Sequence, residues 1–353
     1  MKKELLTASA LAASLVVPGV ASAASMSMSG YSVNGIESED ADSASDGAYA
    51  ESQDSGMSVS VSETTDGGVT ISSGFTLINE GSTSATESGL TLTFTDGSSL
   101  ELIDAGTAYA GAMASVPSAS GEQGLGATCI NTSSASLTWA SRSAAVGFDW
   151  NSAADFMGVE GLTFGVSAGL GDDATASTAT INTDSGFSVG ATYVTTAGDS
   201  TVTIGGGMVT SEGNSTGQSN SNSDSVALSA SVVTGDLTVG AGFSTGEGLA
   251  QEGSVSINEI DDVEVINVGA SYVSGDMTFT VSYKDGSVKS AELGTAAGTS
   301  TDSQEVVGAS VDYAVASGVT ATLGYSNEDE KVAGSAVQSN SGSAIYLGAK
   351  ISF

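Results

Sequence analysis

A chain of 353 residues with 41 acidic and 7 basic side chains carries a formal net charge of −34 at pH 7, a field that repels nucleic acid and draws cations. Its lone cysteine, Cys129, excludes an internal disulfide framework, and the lack of histidine and of a second thiol leaves metal or nucleophilic chemistry little to build on. Intrinsic disorder fits the charge and the 47 glycines but not the 40% hydrophobic content or the many short alternating segments.

The chain opens as an exported protein does. Met1-Lys2-Lys3 precedes Leu5-Leu6 and the apolar run from Leu11 to Val17, then Pro18-Gly19, and the segment ends in the small residues Ala21-Ser22-Ala23. That pattern predicts a secretory signal peptide over residues 1–23, cleaved after Ala23 or one residue later, because the apolar core is too short to span a membrane as a helix. Residues 24–353 then form one domain, whose basic side chains are Arg142, Lys284, Lys289, Lys331 and Lys350 against 40 acidic groups once Glu4 is removed.

Strand signals run through the rest of the chain. Early candidates are 26–34, 56–63, 69–78, 89–95, 98–103 and 136–142, with edges blurred by Gly and Ser. Clearer ones follow at 146–150, 162–170, 187–194, 202–209, 226–232, 237–243, 265–272, 277–283, 307–315, 319–325 and 343–353. In the last of these Ile345, Leu347, Ala349, Ile351 and Phe353 share one parity, while Tyr346, Gly348, Lys350 and Ser352 hold the other. Met277, Phe279, Val281 and Tyr283 likewise oppose Thr278, Thr280, Ser282 and Lys284. A soluble sandwich alternates in the same way, so the connections decide. Tight links such as Val-Thr-Gly-Asp236, Val-Ser-Gly-Asp276 and Ala-Ser-Gly318 alternate with long polar segments at 211–223, 246–262, 286–302 and 328–342. Short turn, long loop, short turn is the arrangement of an outer-membrane barrel, apolar toward lipid and polar toward its lumen. The strands number 16 or 17, and antiparallel closure favours the even count. The fold class is therefore all-β: a transmembrane antiparallel β-barrel of about 16 strands.

The stretch 104–134 is long for a loop, richer in Ala and milder in charge than the other long connections. Those properties predict that it folds back into the barrel and packs on the wall. The acidic clusters Glu37-Ser-Glu-Asp-Ala-Asp42, Glu259-Ile-Asp-Asp-Val-Glu264 and Asn327-Glu-Asp-Glu330 could hold Ca²⁺, but no calcium-loop spacing is present, and solvated loops are the simpler reading. Cys129 reads as a small buried residue. The repeat Val-Gly-Ala-Ser271 and Val-Gly-Ala-Ser310 reads as an echo of repeated hairpins.

The leader Met-Lys-Lys-Glu-Leu-Leu-Thr-Ala-Ser-Ala-Leu-Ala12, the early Ser27-Met-Ser-Gly-Tyr-Ser-Val33 and the closing strand to Phe353 resemble the general porins of alphaproteobacteria, a Gram-negative porin family. The resemblance implies a homotrimer in the outer membrane of a Gram-negative bacterium, embedded among lipid and lipopolysaccharide, whose third external loop is a constriction. It makes 104–134 that constriction loop, with Asp104 and Glu122 as its acidic members. The family sets such acids against a cluster of arginines and lysines, but here Arg142 is the sole arginine after residue 23. Arg142, next to the loop, either pairs with a loop carboxylate or sits in a turn. Lys284 and Lys350 have lumen parity and either supply positive charge to the wall or anchor at an interface. The expected function is passive diffusion of small hydrophilic solutes, chiefly cations and uncharged nutrients, with no enzyme chemistry and no required cofactor. The rival is an exported acidic structural or adhesive surface protein that binds divalent cations.

Overall fold

The computed structural model describes residues 24–41, 48–79, 83–102, 108–119, 147–170, 182–215, 218–252, 256–292, 299–331 and 340–353. Sixteen antiparallel strands close into a barrel in which each pairs with its neighbours in the chain and the first pairs with the last. They are β1 (Ser25–Ala41), β2 (Ala48–Thr64), β3 (Thr70–Asn79), β4 (Thr83–Thr93), β5 (Ser99–Leu102), β6 (Gly147–Asn151), β7 (Leu162–Leu170) and β8 (Asn182–Ala197). The second half comprises β9 (Ser200–Ser215), β10 (Gln218–Thr234), β11 (Leu237–Glu252), β12 (Ser256–Ser274), β13 (Met277–Glu292), β14 (Thr299–Ala316), β15 (Val319–Lys331) and β16 (Asn340–Ser352). β5 pairs directly with β6, so the wall closes without a seventeenth strand between them; the candidate at 136–142 lies outside the described residues.

Closure abolishes the unpaired strand edges that hydrocarbon would not tolerate. At the seam the Gly30 amide donates to the Phe353 carbonyl and the Phe353 amide to the Gly30 carbonyl, both at 3.0 Å. This seam exists because the period-2 pattern of the last strand presents Leu347, Ile351 and Phe353 outward, at 61%, 53% and 65% exposure, while Tyr346 turns inward and is buried. Val281, Leu323, Val307 and Phe243 extend the same outward belt around the second half of the barrel. Such a belt in contact with water would be an aggregation surface; against lipid it is the stable arrangement.

Tight two-residue turns join β8 to β9, β10 to β11, β12 to β13 and β14 to β15 at one end. Gly235 adopts φ +56° and Gly275 φ +61°, the left-handed conformation that lets a two-residue hairpin follow the strand twist, with Asp236 and Asp276 as the second turn residues. At the other end the structure departs from expectation. The segments 211–223, 246–262, 286–302 and 328–342, expected to be loops, are in large part strand: β9 runs to Ser215, β11 to Glu252, β13 to Glu292 and β15 to Lys331. These extensions are polar on both faces, so no apolar alternation marks them, yet the backbone pairing continues beyond the apolar belt.

Candidate channel lumen

Inward positions are lined by small and polar residues, among them Ser167, Ser188, Ser225, Ser229 and Ser310, all buried. Their burial has a local cause, since a segment of the chain lies over them. Residues 108–119, beginning with the one-turn helix α1 (Ala108–Gly111), run along the inner wall rather than out into solvent. The path can be read from its contacts. The Ala108 amide donates to Ser167 Oγ on β7 (3.1 Å), the Tyr109 amide to Ser188 Oγ on β8 (3.2 Å), the Ala114 amide to Ser229 Oγ on β10 (2.7 Å) and the Ala119 amide to Ser282 Oγ on β13 (3.1 Å). Thr192 Oγ1 donates to the Ala112 carbonyl at 2.8 Å, and the Tyr109 hydroxyl lies 3.1 Å from Ser225 Oγ.

The segment can lie this close because the wall under it is glycine. A Cβ on Gly190 would overlap the Ala108 carbonyl oxygen, one on Gly205 the Ala112 carbonyl oxygen, and one on Gly269 the Pro117 carbonyl oxygen. Gly240 lies beneath Ser115 and Val116, and Gly308 beneath Ala119. The segment is therefore seated on a track of Gly and Ser crossing β7 to β14, held by neutral hydroxyl-to-backbone bonds. Its lack of charge suits that seat, because its amides find partners without desolvating an ion. Burial raises the Tyr109 phenol above its ordinary value, and the Ser225 hydroxyl partly offsets this.

Sequence reading placed this segment in the barrel but missed its seat. The signal was present: the glycines of Val-Gly-Ala-Ser271 and Val-Gly-Ala-Ser310, together with Gly165, Gly190, Gly205 and Gly240, all have lumen parity, on six of the eight strands from β7 to β14.

Among the expected site residues, Asp104, Glu122 and Arg142 lie outside the described residues, as does Cys129. Lys284 on β13 and Lys350 on β16 both face the lumen. Lys284, Val306 and Glu328 stand in one row across β13, β14 and β15. Lys350 Nζ sits 5.2 Å from the centre of the Tyr31 ring, and the Tyr31 hydroxyl donates to Asp54 Oδ2 at 2.8 Å. The two lysines are thus separated along the wall, each beside acidic or aromatic partners.

The acidic clusters depart from the solvated-loop reading. Glu37 and Glu328 are each 2% exposed and stand on the lumen faces of β1 and β15; Glu328 accepts a short hydrogen bond from Gln304 Nε2. Asp54, Glu101, Asp149 and Asp312 also face inward. Asp312 accepts a hydrogen bond from Thr322 Oγ1. The described inward side chains therefore include six carboxylates and two lysines. No group of three or more Asp, Glu, Cys or His side chains is close enough to hold a metal among the described residues.

The sequence matches the family model described as Gram-negative porin over residues 7–333. A comparison with curated proteins finds no match. Among solved structures, the barrel resembles the Salmonella typhi OmpF in complex with daunomycin, at 15% identity and a TM-score of 0.64 over 93% of this chain and 98% of that one. It also resembles an anion-selective porin from Comamonas acidovorans, at 14% identity and a TM-score of 0.62 over 94% of this chain and 100% of that one. The trimer form of OmpT from Vibrio cholerae is similar at 13% identity, with a TM-score of 0.61 over 94% and 100% of the two chains. Identities this low speak for the fold alone.

Proposed function

The chain belongs to the Gram-negative porin family, and from that premise we propose that it is a cation-preferring diffusion channel, working as a homotrimer with residues 104–134 as its constriction. The protein is an outer-membrane channel of a Gram-negative bacterium, through which small hydrophilic solutes diffuse. Its preference for cations is our reading, and one observation carries it. The inward-facing described side chains include Glu37, Asp54, Glu101, Asp149, Asp312 and Glu328 against Lys284 and Lys350. Fold does not decide the sign, since a barrel of the same architecture belongs to an anion-selective protein. The lining side chains support it: an excess of carboxylates along the wall of a water-filled passage lowers the energy of a cation and raises that of an anion. Proteoliposomes containing the protein should swell faster in isotonic lysine hydrochloride than in sodium glutamate. Equal rates, or faster glutamate uptake, would refute cation preference while leaving the channel intact.

Residues 1–23 are, in this reading, a leader removed on export, and 24–353 the mature barrel of a porin of the alphaproteobacterial type. The trimer reading has support from the outer face of β1 and β2. Ser32 and Asn34 point outward there, register with Ile351 and Ala349 of β16, and pair with Ser55 and Gln53 of β2. Polar side chains in the middle of an apolar belt are costly against lipid. Asn34 Nδ2 donates to Ser32 Oγ at 3.1 Å, and a subunit contact over this patch would take the remaining polar groups out of lipid; a structurally similar protein is known in a trimer form.

A further inference from the structure

The connection between β6 and β7, residues 152–161, lies at the same end of the barrel as the tight turns but is built differently, around a one-turn 3₁₀ helix at Phe156–Gly158. The inward direction on these two strands is fixed by Ser167, which accepts the Ala108 amide of the infolded segment, and by Gly165, whose Cβ would meet Ala108. Asp149 is the register partner of Ser167, so Trp150, the next residue along β6, faces outward, as does Phe164 beside Gly165. The Phe156 ring stacks on Phe164 with centroids 5.5 Å apart and meets Trp150 edge-on at 6.1 Å. The turn is thus folded back over the outer face of the barrel. From this placement we propose that the β6–β7 turn is a lipid anchor, whose Met157 and Val159 insert into the phospholipid leaflet on the tight-turn side, the periplasmic one in a barrel of this kind.

Met157 is 85% exposed and Val159 46%. Both lie beyond the last residue of β6, Asn151, and before the first of β7, Leu162, so they carry the apolar surface past the wall itself. The surface they continue, through Phe156 onto Trp150 and Phe164, is the lipid-facing belt, and that continuity makes lipid the occupant. Asp155 and Glu160 flank the tip, so the chain enters and leaves the interface through polar residues, as an interfacial element does. The backbone is an independent observation. Asp155 and Met157, at φ 60° and 54°, are the two residues other than glycine with positive φ among the described residues. That conformation favours glycine. Asp155 offsets the strain by accepting the Gly161 amide at Oδ1, 2.7 Å away. For Met157, exposed as it is, the offset comes from burying its side chain in lipid. The turns at Gly235-Asp236 and Gly275-Asp276, which only reverse the chain, put glycine at positive φ and end in a charged residue.

Met157→Cys, carrying an environment-sensitive fluorophore in a Cys129→Ser background, locates the tip when the full barrel is reconstituted in phosphatidylcholine vesicles. Heat-modifiable migration in SDS establishes that each labelled variant is folded. The reference is the same label at Asp236→Cys, in the tight turn between β10 and β11. Phospholipid bearing a spin label near its headgroup should quench the label at 157 about threefold more than the reference, and aqueous iodide about threefold less, as a side chain sunk into the headgroup boundary requires. Equal iodide quenching at the two positions would overturn the anchor, because the tip would then lie in water. Protection of position 157 from both quenchers would also overturn it, because protein, a second copy of this chain, would then cover the tip. Val159→Cys, at a residue with extended backbone, keeps the test available if Met157→Cys fails to fold. The readout needs no conductance, so a failure of the channel reading stays distinguishable from a failure of the anchor.

Discussion

Gly269 illustrates how much depends on single small residues. Its missing side chain leaves room for the Pro117 carbonyl on the far side of the infolded segment from α1. Gly269→Val should therefore keep the barrel but push the segment toward the axis, reducing single-channel conductance severalfold; unchanged conductance would mean that the track does not position the segment. Serines on the wall act differently, by accepting amides. Ser188→Ala with Ser229→Ala removes the acceptors of the Tyr109 and Ala114 amides, at roughly 1 kcal/mol each. Hydrogen exchange at those two amides should then accelerate about fivefold or more per site, while the wall strands keep their protection. In the turn between β4 and β5, Asp96 accepts from the Ser98 hydroxyl at 2.7 Å and the Ser98 amide at 2.9 Å. The Ser98 hydroxyl first, then its amide, hold that carboxyl below its ordinary 3.8. A depressed folded value means that the contact contributes stability above the unfolded value, lost as pH falls through the folded one. In an NMR titration, Ser98→Ala should raise the Asp96 midpoint toward the ordinary value, and an unmoved midpoint would refute the assignment.

Strands and connections differed in how clearly the sequence displayed them. β7 was legible to the residue, because Leu162, Phe164, Val166, Ala168 and Leu170 alternate with small or polar residues over its whole length. β10 and β12 were legible only in the half that crosses the apolar belt; their upper halves, such as Gln218 to Asp224, pair without alternation because water bathes both faces. The infolding of 108–119 was legible from the length and mild charge of the stretch around it, whereas its seat was hidden: the required feature is a row of glycines on different strands, adjacent only after the barrel closes. The pairing of Asp149 with Glu101 across β6 and β5 was hidden for the same reason, since the two lie 48 positions apart in the sequence. At this scale the outward polar patch on β1 and β2 carries its own expectation. If this patch is the proposed subunit contact, Asn34→Leu with Gln53→Leu should lower the temperature at which the oligomer dissociates in SDS, because the polar contacts across it would be lost. A lipid-facing patch would respond in the opposite sense, with a more heat-resistant barrel.

For the whole molecule, closure and charge act together. Sixteen strands remove every sheet edge, the outward belt meets lipid, and the carboxylates excluded from lipid gather in the lumen and on the polar hairpin extensions. Charge of −34 across the full chain would strain a compact soluble core by self-repulsion, but it is tolerable where water and cations fill the interior. In the proposed reading, the same distribution that makes the fold stable in a membrane also sets the channel's preference for cations. The most direct test is the zero-current potential of the purified protein in a planar bilayer across a tenfold KCl gradient. The account requires a potential of the sign set by K⁺ permeation, together with stable conductance steps. A potential of the opposite sign would contradict it, placing control of the field with Lys284, Lys350 or Arg142 in place of the lumen carboxylates.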